Sequence, residues 1–200
     1  VEAGYAGSDG RYFELTPRVL RLGLAYLSAP LPRLLQPHLD ELAHVLKESC
    51  SAAVLDGTNV VYICRATHHR VVAPGLHAGS RLPAFCSSLG RVLLAALPVQ
   101  EVREILEESN LESITDYTQT SLPALLGEIE RVRSQGFSVI DQEMQLGSRS
   151  IAVPVINVTG QTVAAVTVGV QLVRADMTRL TDEILPRLLE VQSKLRTVLP

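Results

Sequence analysis

Tryptophan is absent and aromatic residues make up only 4% of the chain. A core of large rings is therefore excluded. With 46% hydrophobic residues, the interior has to be built from Leu, Val, Ile and Ala. No apolar run approaches the roughly 20 residues a membrane-spanning helix needs. A strong charge of one sign is also missing: the net charge is −3 and the isoelectric point about 6.0. A surface that grips phosphate backbones is basic, so these residues carry no electrostatic footprint for DNA or RNA on their own. Cysteine is scarce. Cys50, Cys64 and Cys86 are an odd set without paired spacing, which fits a reducing cytoplasm better than a disulfide framework. The 200 residues allow one large domain, or one domain with flanking pieces. The chain opens on Val1 and not on Met, and reads as a fragment that has lost an N-terminal partner.

Catalytic and metal signatures are lacking as well. There is no Walker loop, dinucleotide fingerprint, nucleophile elbow or paired-Cys zinc motif. Cys86 precedes an expected helix N-terminus that could lower its pKa, but a buried, inert thiol is the commoner state. His68, His69 and His77 invite a metal reading. Neighbouring strand residues point to opposite faces, so His68 and His69 cannot easily share one ion, and a solvated loop is the simpler account. Neither a metal nor a cofactor is expected.

What is present is a mixed pattern. Val1 to Leu15 holds the turn signal Ser8-Asp9-Gly10 and reads as a hairpin. Thr16-Pro17 starts a short helix reaching about Ser28, and a second helix should run from Leu31 to Lys47 with Pro37 inside it. Strands are expected at Ser51–Leu55, Val60–Ala66 and, more broken, Arg70–Gly75. Helices follow at Leu89–Leu97, Val99–Glu108 and Ala124–Gln135, the last ended by Gly136. Strands return at Phe137–Gln142, Ile151–Asn157 and Thr162–Val170, and Asp176 caps a final helix to about Leu195. Hairpin connections dominate, so the fold class is α+β: a mostly antiparallel sheet flanked by helices.

Two segments carry functional signal. Residues 79–97 run a Ser-rich turn, Cys86-Ser87-Ser88, into an apolar helix. Helix N-termini present free N–H groups and partial positive charge, a suitable cradle for a carboxylate, and Gly90 would let a ligand come close to the backbone. An ordinary Ser-capped helix explains the same residues. Residues 141–154 place Asp141-Gln142-Glu143 before a Gly turn, then Arg149-Ser150 at the opening of an apolar strand. A surface loop accounts for Gln142, Glu143 and Gln145. Asp141 and Arg149 are open to two readings, ligand contacts or an ion pair.

Taken in order, Gly10-Arg11-Tyr12-Phe13, Leu55-Asp56-Gly57, Gly79-Ser80-Arg81-Leu82-Pro83-Ala84, Ser87-Ser88-Leu89-Gly90-Arg91, Asp141-Gln142-Glu143 and Leu146-Gly147-Ser148-Arg149-Ser150-Ile151-Ala152-Val153-Pro154 resemble the IclR family of bacterial transcription regulators. The branch regulating aromatic-acid and β-ketoadipate catabolism is the most similar. Ser148, where Leu is usual, is one departure. The resemblance implies residues 1–15 as a remnant of a winged-helix wing, 16–30 as a linker helix and 31–200 as a GAF-like effector-binding domain. It implies a small organic or aromatic acid as effector, in a pocket formed by Ser87, Ser88, Leu89, Asp141, Ser150, Thr167 and Gly169. It further implies operator DNA bound through an N-terminal winged helix absent from this chain, a homodimer or tetramer, no membrane association and no catalysis. A stand-alone GAF-like sensor with another output, and a small hydrolase using Cys86 or a serine, are the competing readings.

Overall fold

The computed structural model describes residues 1–67 and 76–199. The expected broken strand Arg70–Gly75, together with His68 and His69, lies outside the described residues. The chain divides into two compact units, Val1–Leu34 and Leu35–Pro200.

In the first unit, β1 (Ala6–Ser8) and β2 (Phe13–Leu15) form the expected hairpin. Its turn is tied by Asp9, whose carboxylate accepts from the N–H groups of Arg11 and Tyr12 at 2.9 and 2.7 Å. These bonds favour the charged form and hold the Asp9 carboxyl below its ordinary value. Helix α1 follows at Val19–Leu27 and buries none of its residues within this chain.

Helix α2 (Pro30–Leu46) starts in the first unit and continues into the second, with Pro37 accommodated inside it. Its apolar stripe, Leu35, Leu39, Leu42 and Leu46, is buried at helical spacing. The second unit is built on a six-stranded antiparallel sheet of order β5-β4-β3-β8-β7-β6. Its strands are β3 (Ser49–Asp56), β4 (Asn59–Ala66), β5 (Arg81–Pro83), β6 (Ser138–Asp141), β7 (Ser148–Ile156) and β8 (Thr162–Gln171). Three helices lie between the two strand groups: α3 (Ser88–Ala95), α4 (Val99–Glu108) and α5 (Leu122–Gln135), the last ending on the left-handed Gly136. Asp176 caps the C-terminal helical segment as expected, accepting from Arg179 N at 2.8 Å. The segment is not uniform: Arg179–Ile184 is wound as a π-helix before α6 (Leu185–Arg196). The short edge strand β5 is an addition to the sequence reading. Its three residues are too few to show alternation, and only pairing with β4 defines them as a strand.

Side-chain alternation gives the sheet two faces. Ala53, Ala152 and Ala165 pack with α3 and α5, around Leu89, Val92, Leu93, Ile129 and Val132. Ile151, Val153, Val155, Val166 and Val168 point the other way and are fully or almost fully buried. Small residues on the first face let α3 lie close to the sheet.

Candidate functional site

The site is set by where α3 begins. Ser87 is its N-cap: the side chain accepts from Gly90 N at 3.1 Å. A cap bound in this way is engaged with its own helix. A Cβ on Gly90 would collide with the carbonyl of Ala84, so what approaches this glycine is the chain's own backbone, not a ligand. Leu89 lies in the apolar core with 1% exposure. Its N–H and that of Ser88 open the first turn and have no intrahelical acceptor.

Ser88 reaches down to the sheet, its Oγ 3.0 Å from Thr167 Oγ1. Thr167 donates its proton to Ile151 O at 2.9 Å, so Ser88 donates to Thr167 and keeps its lone pairs outward. Thr167 and Gly169 alternate onto the same face, and Ser150 sits opposite Gly169 in the ladder. A side chain at Gly169 would meet nothing within 4 Å, so open space lies beside it. Ser88, Thr167, Ser150 and Gly169 thus come together on the α3 face.

Asp141 does not join them. Register puts it opposite Arg149, and Ile140 opposite Ser150. The residue facing the α3 side is therefore Ile140, one position earlier, because a one-residue step along a strand reverses the face. Asp141 forms a two-pronged ion pair with Arg149, Nε–Oδ1 2.9 Å and a second nitrogen to Oδ2 3.0 Å. Arg149 also donates to Ala175 O at 3.0 Å.

Glu143 corrects the surface-loop reading. It is buried and accepts from Arg91 at 2.6 Å and from Gln119 N at 3.0 Å. Arg91, 2% exposed, also donates to Phe85 O at 2.8 Å. Thr118 donates to Glu143 O at 2.7 Å, and Thr115 to Gln142 O at 2.7 Å. This network ties the start of α3 to the loop after β6 and to the segment before α5. Nothing in the local sequence marks Arg91 as buried, since it lies inside a helix that could have exposed it.

Burial pushes the Cys86 thiol up to about 12, with Glu143 adding to the effect and Arg91 opposing it. The thiol donates toward Met144 Sδ at 3.1 Å. Proximity to a helix start therefore does not activate this cysteine, because desolvation outweighs it. Among the described residues no cluster of His, Cys, Asp and Glu could hold a metal ion, and no helix is long and apolar enough to cross a membrane.

An antiparallel α+β sheet with a small polar patch beneath a covering helix is the frame of the candidate site. The model of the bacterial transcriptional regulator IclR C-terminal domain matches residues 25–197, and the chain belongs to this family. It is 43% identical to the Pca regulon regulatory protein of Pseudomonas putida over 191 residues, covering 94% of this chain and 66% of that protein. It is 37% identical to the p-hydroxybenzoate hydroxylase transcriptional activator of Acinetobacter baylyi, covering 98% and 74%. Among solved structures, the inducer-binding domain of the Acinetobacter transcription factor PobR, a double mutant in complex with 3-hydroxybenzoic acid, superposes with a TM-score of 0.79 at 35% identity, covering 84% of this chain and 98% of that one. The chain thus spans about two thirds to three quarters of the curated relatives' length. These relatives are named as regulators and activators of transcription, not enzymes.

Proposed function

We propose that this chain is the effector-binding portion of a ligand-gated transcription regulator of aromatic-acid catabolism. Its effector is a small aromatic or organic acid held on the α3 face of the sheet. The observation that carries this reading is the convergence of Ser88, Thr167, Ser150 and Gly169 beside open space, in a chain otherwise packed with Leu, Val and Ala. The relatives named for pca and p-hydroxybenzoate regulation support the chemical class. In the full regulator, operator DNA is contacted through an N-terminal winged helix in the cytoplasm. Residues 1–15 are the tail of the wing, 16–30 the linker helix and 31–200 the effector domain. Asp141 acts through its pair with Arg149, and Ser87 through its cap.

Calorimetry with protocatechuate, 4-hydroxybenzoate, 3-hydroxybenzoate and β-ketoadipate tests the reading, and at least one of them binds. Ser88→Ala is expected to weaken that ligand about tenfold, the value of one hydrogen bond of about 1.4 kcal/mol. Unchanged affinity in this variant would remove Ser88 from the site.

Regulators that read two half-sites need two reading heads, so the protein works as a dimer or a dimer of dimers. Leu20, Leu22, Leu24 and Tyr26 of α1 are exposed, as are Phe13 and Leu15 of the hairpin, an apolar surface suited to a second copy. Sedimentation across a wide concentration range is expected to show a monomer–dimer equilibrium that Leu20→Glu/Leu24→Glu shifts toward monomer. A chain that stays monomeric at the highest concentration would remove this surface as the contact.

A further inference from the structure

We propose that Arg65 is the counter-ion of the effector's carboxylate and fixes which way round the acid binds. The proposal deepens the reading given above and rests on it.

The ladder pairs set five residues in one row across the sheet. Ser138 stands opposite Ala152, Ala152 opposite Thr167, Thr167 opposite Ser51 and Ser51 opposite Arg65. Paired residues share a face, so all five look toward α3. A β-bulge between Ala52 and Ala53 brings Arg65 onto that face, and its guanidinium donates to Ser51 Oγ at 3.3 Å. Ser51 is 2% exposed and Arg65 is partly buried. Among the described residues Arg65 has no carboxylate within ion-pair distance. Every other arginine that the sheet or its covering helices hold as deeply has fixed partners: Arg91 has Glu143, and Arg149 has Asp141. At the far end of the row, Ser138 Oγ is buried and has no hydrogen-bond partner.

The donor inventory decides the orientation. Thr167 gives its proton to Ile151 O, and Ser88 gives its own to Thr167. Neither hydroxyl has a proton left for an anion, whereas Ser88 Oγ still offers lone pairs to a hydroxyl donor. An acid is acceptor-only when ionised, so its carboxylate needs donors: the free N–H groups of Ser88 and Leu89 are neutral, whereas Arg65 adds a full positive charge and several unused N–H groups. Adjacent strands lie about 4.8 Å apart. Arg65 stands two strands from Thr167, roughly 10 Å along the row, which leaves length for a hydroxybenzoate and its hydrogen bonds at both ends, with the open space at Gly169 alongside. The geometry points to a hydroxyaromatic acid with its carboxylate at Arg65 and Ser51 and its ring hydroxyl donating to Ser88.

The test measures binding by calorimetry of protocatechuate, 4-hydroxybenzoate and 3-hydroxybenzoate, each against its own carboxamide, to wild type, Arg65→Met and Arg65→Lys. Wild type is expected to prefer acid over amide by tenfold or more. Arg65→Met is expected to lose at least tenfold for the acid and to hold the amide within about twofold, so the preference collapses. Arg65→Lys keeps part of it. An acid-to-amide ratio in Arg65→Met equal to that of wild type overturns the proposal. If Arg65→Met does not fold, Arg65→Gln gives the same ratio. A wild type that binds β-ketoadipate but none of the three aromatic acids overturns this proposal alone, and one that binds none of the four overturns the effector reading, and this proposal with it.

Discussion

Gly90→Ala is expected to cost about 3 kcal/mol or more, at or beyond the upper end for overpacking. The added methyl would collide with the backbone carbonyl and Cα of Ala84, and backbone cannot swing aside as a flexible side-chain end can. The loop before α3 and the first turn of the helix would have to separate. That would disturb the Ser87 cap and the Arg91 bond to Phe85 O. For a chain of this size, 1 kcal/mol shifts the melting temperature by about 2–4 °C, so a fall of roughly 6–12 °C is expected. Gly169→Ala makes the control. Its methyl meets nothing within 4 Å, so stability should stay within about 1 kcal/mol of wild type while effector affinity falls. Thermal unfolding of both variants decides the matter. A Gly90→Ala protein as stable as wild type would show that the close approach to Ala84 is not needed.

Arg91→Met should be equally damaging for a different reason. It leaves the buried Glu143 carboxylate with Gln119 N and no cation. Breaking a buried ion pair from one side typically costs 3–5 kcal/mol, much of it the desolvation of the charge left behind. A melting temperature lower by about 10 °C or more is expected. The double variant Arg91→Met/Glu143→Leu removes both charges and should recover a large part of the loss, because buried pairs replaced by apolar groups are often nearly neutral. Since the network joins α3 to the segment carrying Thr115 and Thr118, effector affinity should fall in the single variant too. If the double variant is no more stable than the single, the loss comes from packing around Arg91 and the ion-pair account fails.

The competing hydrolase reading finds no activated nucleophile at Cys86, Ser87 or Ser88 among the described residues. Cys86 is buried against Met144 and its thiol is held protonated, and among the described residues Ser87 and Ser88 bond to Gly90 N and Thr167 and have no base beside them. A serine nucleophile needs a base within hydrogen-bond reach, and among the described residues neither of these serines has one.

Local sequence determined a good deal of this protein. Apolar spacing of 3.6 placed α2, α4 and α5, and the Asp56-Gly57 turn placed the β3–β4 hairpin, because these signals depend only on neighbours along the chain. The Ser87 cap was legible for the same reason: a cap is a contact between residues three apart. Order and spacing of several motifs identified the family, and the resemblance nominated Ser87, Ser88, Leu89, Asp141, Ser150, Thr167 and Gly169 as its pocket. Only the tertiary structure decided which face each residue takes. Asp141 and Ile140 differ by one position, and pairing with β7 alone fixes which of them faces α3. Arg65 drew no attention in the sequence, since an arginine near a strand end is ordinarily solvated. It enters the site because β3 pairs with β8, more than a hundred residues away, setting Ser51 beside Thr167. Arg91 and Glu143, 52 positions apart, are likewise a pair only in space. Periodicity reports burial along one element, whereas a binding row and a buried ion pair arise from register between elements, which no local pattern encodes.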